Sequence, residues 1–169
     1  MRTRFVILAV LALGLLGTAS VDRAARADPP GLGVWVAPVQ ELVLVHPFDP
    51  PEHRWSAGHR GVDLVADAGT SVLAPCDGVV TFVGPVAGRP VLTVLSREGL
   101  RSSVEPVEAT VGVGDLVRAG DAVGVVVANP ASHCAPTTCL HWGVRRGTIY
   151  IDPMSLLAGG GPVVLLPQP

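Results

Sequence analysis

Gly58-His59-Arg60-Gly61-Val62-Asp63 sets a histidine and a carboxylate four residues apart, with a glycine between them. Both are zinc ligand types. A helix would bring i and i+4 together, but Gly61 and β-branched Val62 disfavour a helix here. A fully extended strand advances roughly 3.3 Å per residue, which leaves the two Cα atoms about 13 Å apart, slightly too far for both side chains to reach one ion. The segment is therefore expected to curl, and Gly61 is the residue that permits the curl. A third ligand must come from elsewhere. The strand-like run Cys139-Leu140-His141-Trp142-Gly143-Val144 offers His141. Either histidine alone reads as an ordinary structural residue; the two segments gain meaning together.

Around this stretch the chain has the rhythm of short strands and turns. Ser71-Val72-Leu73-Ala74 and Gly78 to Val83 flank a turn at Cys76-Asp77-Gly78. Arg89 to Leu95 and Leu100 to Val104 read as a hairpin with Arg97-Glu98-Gly99 at its tip. Ala122 to Ala128 is a further strand. Upstream, Trp35 to Val45 has the Val/Leu-rich composition of a first strand. His46-Pro47-Phe48-Asp49-Pro50-Pro51-Glu52-His53 is irregular, because three prolines interrupt any regular element. Trp55 reads equally as a cleft wall or a core aromatic. Asp152 is placed to cap a short terminal element that starts at Pro153. Such spacing implies an all-β fold, a compact antiparallel barrel or sandwich. The Gly-Val and Ala-Gly-Asp turns also resemble those of lipoyl-type domains, but these carry a hairpin lysine, and all 12 basic residues here are arginine.

Arg2 and Arg4, the apolar run Phe5 to Leu16 and the Ala25-Arg26-Ala27 site follow the order of an export signal. The apolar run is too short for a comfortable membrane span. Residues 1–27 are expected to be a signal peptide, with 28–44 a leader and possible first strand, 45–157 the globular domain, and 158–169 a flexible Gly/Pro-rich tail. No cysteine follows the apolar run, so lipoprotein anchoring has no acceptor. The remaining length of about 140 residues suits one domain with a real core. The formal net charge is −2, and no basic run or interleaved aromatic patch suggests a nucleic-acid face.

The chain resembles the M23 family of zinc metallopeptidases, the lysostaphin- and LytM-like group that cuts peptidoglycan cross-bridges. The resemblance covers roughly Val45 to Leu157. It rests on His59-x-Gly61-x-Asp63, Gly69-Thr70-Ser71-Val72-Leu73-Ala74-Pro75 and Asp77-Gly78-Val79-Val80. It continues through Val113-Gly114-Asp115-Leu116-Val117-Arg118-Ala119-Gly120-Asp121 and Leu140-His141-Trp142-Gly143-Val144. The resemblance implies a zinc site made by His59, Asp63 and His141, and the fold of that group. It also implies two catalytic histidines, which this chain lacks: Cys139 stands at one position and Val104-Glu105-Pro106-Val107 covers the other.

A catalytic zinc site keeps three protein ligands and an open position, and proton transfer needs a positioned base. The available candidates are Glu105, Glu108 and His133. Cys139, two residues before His141, shares its face if the segment is extended. As a thiolate it would close the site as a fourth ligand; as a disulfide partner it would bind no metal. The export context favours a disulfide, with Cys134 the nearest partner in sequence; Cys76 stands where the resembled family has a small apolar residue, which implies a buried free thiol. Two functions follow from the resemblance. One is a secreted zinc endopeptidase acting on peptidoglycan stem peptides, slow or inactive for want of the family histidines. The other is a degenerate module of the cell envelope that keeps the groove and the metal and binds wall peptide or a wall hydrolase.

Overall fold

The computed structural model describes residues 33–53, 55–129, 134–135 and 137–157. The signal segment, His133 and the 158–169 tail lie outside the described residues. The chain divides into two units, Met1–Gly31 and Leu32–Pro169, and every described residue belongs to the second.

Eleven strands appear in chain order: β1 (Leu44–His46), β2 (Val62–Val65), β3 (Ser71–Leu73), β4 (Gly78–Val86), β5 (Arg89–Ser96), β6 (Leu100–Glu105), β7 (Val107–Ala109), β8 (Leu116–Val117), β9 (Ala122–Val126), β10 (Cys139–Arg146) and β11 (Ile149–Ile151). All pairings are antiparallel. The larger sheet runs β1-β2-β10-β6-β5-β4-β8, with β11 added beside β10; the smaller runs β3-β9-β7. Neither sheet closes on itself, so of the two expected architectures the sandwich-like one is realised and the barrel is not. The chain passes from the larger sheet to the smaller at Pro106, between β6 and β7.

Local sequence accounts for most of these elements. Ala87 and Gly88 both take positive φ, 48° and 81°, between the paired residues Val86 and Arg89. That is the two-residue connection that matches strand twist. The β5–β6 hairpin turns at Gly99, with φ 79°. Within Trp35 to Val45, the strand is confined to the end, at Leu44–His46; Trp35 instead bridges to Cys76. A short 3₁₀ turn, Pro153–Leu156, follows Asp152, whose side chain accepts from the Met154 N–H at 2.9 Å. Among the described residues no helix is long and apolar enough to cross a membrane.

The core lies where the two sheets face each other. Val62, Leu64, Val104, Leu140, Trp142 and Val144 from the larger sheet meet Val72, Val107, Val123 and Val126 from the smaller. Its largest fully buried member is Trp142, whose indole N–H donates to Ser102 Oγ at 2.8 Å, a residue 1% exposed. A buried indole N–H left without a partner costs about 1–3 kcal/mol. Ser102→Ala is therefore expected to destabilise the protein by about that amount, read as a lower denaturant midpoint with an unchanged slope.

Candidate metal centre

The site is built as a row across four neighbouring strands. His46 pairs with Asp63 across β1 and β2, Asp63 with His141 across β2 and β10, and His141 with Glu105 across β10 and β6. Their neighbours in sequence, Val62, Leu64, Leu140, Trp142 and Val104, go into the core. Alternation along a strand thus delivers the polar row to the other face.

His59 enters from the loop before β2. The expected curl is present: Arg60 and Gly61 form a bend, and β2 begins at Val62. The role of Gly61 differs from the one expected. Gly61 has no positive φ; what it supplies is space. A Cβ there would collide with the Trp142 carbonyl and lie 2.7 Å from the His141 ring. The loop is also held from outside. His59 and Asp49 exchange backbone hydrogen bonds at 2.7 and 3.0 Å, and the His59 Nδ1–H donates to the Pro47 carbonyl at 2.7 Å.

Three atoms converge. His59 Nε2 is 3.1 Å from Asp63 Oδ1, His141 Nδ1 is 2.8 Å from the same oxygen, and the two nitrogens are 3.2 Å apart. An ion with tetrahedral bonds of about 2.0–2.1 Å spaces its ligands about 3.3 Å apart, so this triangle fits within about half an ångström. The chemistry of the donors points the same way. A carbonyl carries no proton, so His59 Nδ1 must hold the hydrogen of that bond. His59 Nε2 then faces a carboxylate oxygen, a contact that either a proton on Nε2 or a metal cation between the two atoms accommodates. The carbonyl partner fixes tautomer and ring orientation as metal-bound histidines require.

Asp63 is fully buried. Its second oxygen, Oδ2, meets His46 Nδ1 at 3.0 Å. Sequence reading assigned His46 only to an irregular proline-rich stretch. Its one available signal was that it closes the Leu/Val run before the prolines, and nothing in the sequence placed it opposite Asp63.

The cysteines fall as expected. Cys134 and Cys139 form a disulfide with Cα atoms 6.0 Å apart. A thiolate ligand from Cys139 is thereby removed, and so is a Cys134 ligand beside His46 and Asp63, to which its sulfur lies close. Cys76 is a buried free thiol, pushed up to about 12 by burial and by the nearby charges of Glu98 and Asp77. It is inert as a ligand or nucleophile. Of the base candidates, Glu105 lines the groove beside His141 and takes a hydrogen bond from Arg89 Nε at 2.8 Å. Glu108 lies on the smaller sheet, on β7, and is exposed. His133 lies outside the described residues.

Fold and site together place two histidines and one carboxylate, a group that could hold a metal ion, at the end of a groove on an antiparallel sheet. The Peptidase family M23 model matches residues 57–153, and the chain belongs to that family. An uncharacterised protein of Mycobacterium tuberculosis is 40% identical over 152 residues, covering 88% of this chain; the chain spans 58% of that relative's length. The fold is that of lysostaphin from Staphylococcus simulans, with a TM-score of 0.63, 22% identity, and coverage of 79% of this chain and 56% of that one. A zinc-containing peptidase from Vibrio cholerae gives 0.60 and 20%, covering 70% of this chain and 38% of the other.

Two substitutions test the geometry. Gly61→Ala should displace the His141 ring and lower metal affinity while leaving the far hairpin β4–β5 intact, as read by competition with a chelating dye and by amide spectra. His46→Ala removes a partner from Asp63, a candidate ligand, and about a 10- to 100-fold loss of metal affinity is expected in the same assay.

Proposed function

We propose that this chain is an exported zinc-binding peptidase domain that acts on the peptides of peptidoglycan, with zinc held by His59 Nε2, Asp63 Oδ1 and His141 Nδ1. The observation that carries the reading is the triangle of those three atoms. Membership of family M23 and the named zinc peptidase among its fold relatives support it. Residues 1–27 would direct export and 45–157 would form the peptidase domain. The Cys134–Cys139 disulfide suits the oxidising side of a membrane.

When bound, the ion would lower the pKa of a coordinated water and polarise a peptide carbonyl. The chain's own residues supply the rest. His59 and His141 are held in orientation by Pro47 and by the β2–β10 ladder. Glu105 faces the groove beside His141 and, among the described residues that line it, is the carboxylate positioned to exchange a proton there. One of its oxygens is engaged by Arg89. Cys139, locked in a disulfide, moves no proton. A single acid–base group is worth about a hundred- to ten-thousand-fold in rate, so slow hydrolysis is the expected phenotype. The locked Cys139 also favours a second reading, a domain that binds wall peptide or a wall hydrolase without cutting.

The test joins metal content to cleavage. After dialysis the wild type should retain one zinc per chain, and His59→Ala or His141→Ala should retain little. With purified peptidoglycan, zinc-loaded wild type should release new amino termini slowly. Glu105→Gln should lower that rate by about a hundredfold or more with zinc content unchanged. Zinc binding with no new termini selects the second reading; equal zinc in wild type and His141→Ala overturns the site.

A further inference from the structure

Arg145 and Arg101 stand directly opposite each other across β10 and β6. Both line a groove of about 610 Å³ whose other end holds His141 and Glu105. Like charges directly opposite in an antiparallel pair destabilise it. The core does not require either arginine, since the alternate residues Ser102, Val104, Trp142 and Val144 are the buried ones.

Four arginines line this groove, Arg60, Arg89, Arg101 and Arg145, against one carboxylate, Glu105. Glu105 is engaged by Arg89. Among the described residues no carboxylate lies within ion-pair distance of Arg101 or Arg145; the latter donates only to the Gly147 carbonyl, at 2.7 Å. The positive charge is concentrated here on a chain whose formal net charge is −2. A cleft of one sign focuses its field on a ligand of the other.

We infer that Arg101 and Arg145 form a carboxylate-binding subsite at the end of the groove away from the metal triad. The inference rests on the function proposed above for one point, that the ligand is a peptide. The groove is continuous from His141 to Arg145, so an anion held by the arginine pair belongs to the molecule presented to the triad. The guanidinium fork matches the two oxygens of a carboxylate. His141 and Arg145 are four residues apart on an extended strand, about 13 Å. An extended peptide covers that span in about four residues, and the reach of the arginine side chains shortens it. The carboxylate thus lies about two to four residues from the bond at the triad. Its source is either the free C-terminus of the peptide or an acidic side chain.

The test uses the full chain loaded with zinc and three synthetic peptides of one sequence: a free C-terminus, a C-terminal amide, and the amide with an acidic residue added. Calorimetric titration should show the plain amide binding about tenfold or more weakly than one of the other two. Which one retains affinity identifies the source. Arg101→Gln and Arg145→Gln should each erase the preference, with zinc content unchanged and the thermal midpoint no lower than that of the wild type. Equal binding of all three peptides by the wild type overturns the inference. So does a preference that survives both substitutions, or inorganic phosphate that binds more tightly than every peptide. Metal content separates this from the broader reading. A carboxylate preference in a protein that holds no zinc leaves the subsite standing and removes the peptidase; zinc bound without any preference does the reverse.

Discussion

The pairing of β2 with β10, in the register that sets Asp63 against His141, is the constraint on which the rest depends. A slip of one residue would turn every side chain of one strand to the opposite face. Asp63 would enter the core and its hydrophobic neighbours would face solvent. Val62, Leu64, Leu140 and Trp142 hold the register from the buried side, each with 0% exposure. Exposing four such side chains costs on the order of 6–12 kcal/mol, comparable with the whole stability of a domain, about 5–15 kcal/mol. The site's geometry is therefore fixed by core packing on the other face of the same two strands, and not by the polar groups themselves.

Those polar groups are a burden on the fold. A fully buried carboxylate is costly unless charged or hydrogen-bonded partners surround it. Asp63 receives three imidazoles, from His46, His59 and His141. They come from three different segments, so removing any one leaves the others crowded around an anion. A cation at the centre of the His59–Asp63–His141 triangle would resolve that crowding, so the same feature that weakens the isolated fold favours metal uptake.

The start of β10 follows a different logic. The resemblance to M23 implies a histidine where Cys139 stands, and the disulfide to Cys134 makes that residue a brace for the start of the strand. On the β6 side Glu105 lies opposite His141, where the proposed function places proton transfer. The arginines further along β6 and β10 extend the same face. The proposed chemistry and the inferred recognition thus share two adjacent strands, while the loop at the other edge fixes His59 through Asp49 and Pro47.

Much of this was legible in the residues. The alternation of short valine-rich strands with glycine turns gave the all-β class, and hairpin signals such as Arg97-Glu98-Gly99 were read correctly because turn chemistry is local. The convergence of His59, Asp63 and His141 was legible through their motifs, and Cys134 and Cys139 as a pair by their proximity. The role of His46 was not legible, because its partner Asp63 is 17 residues away on another strand. Nor was the reason for Gly61, since the atoms that exclude a side chain there belong to His141 and Trp142. The opposition of Arg101 and Arg145 was likewise invisible, being set by the register of strands far apart in the chain. The sequence by itself determined which residue types were available and which short elements they form, because those depend on neighbours along the chain. Only the tertiary structure decided which of them meet, because the register of β1, β2, β10 and β6 is settled by burying apolar side chains that are remote in sequence and adjacent in space.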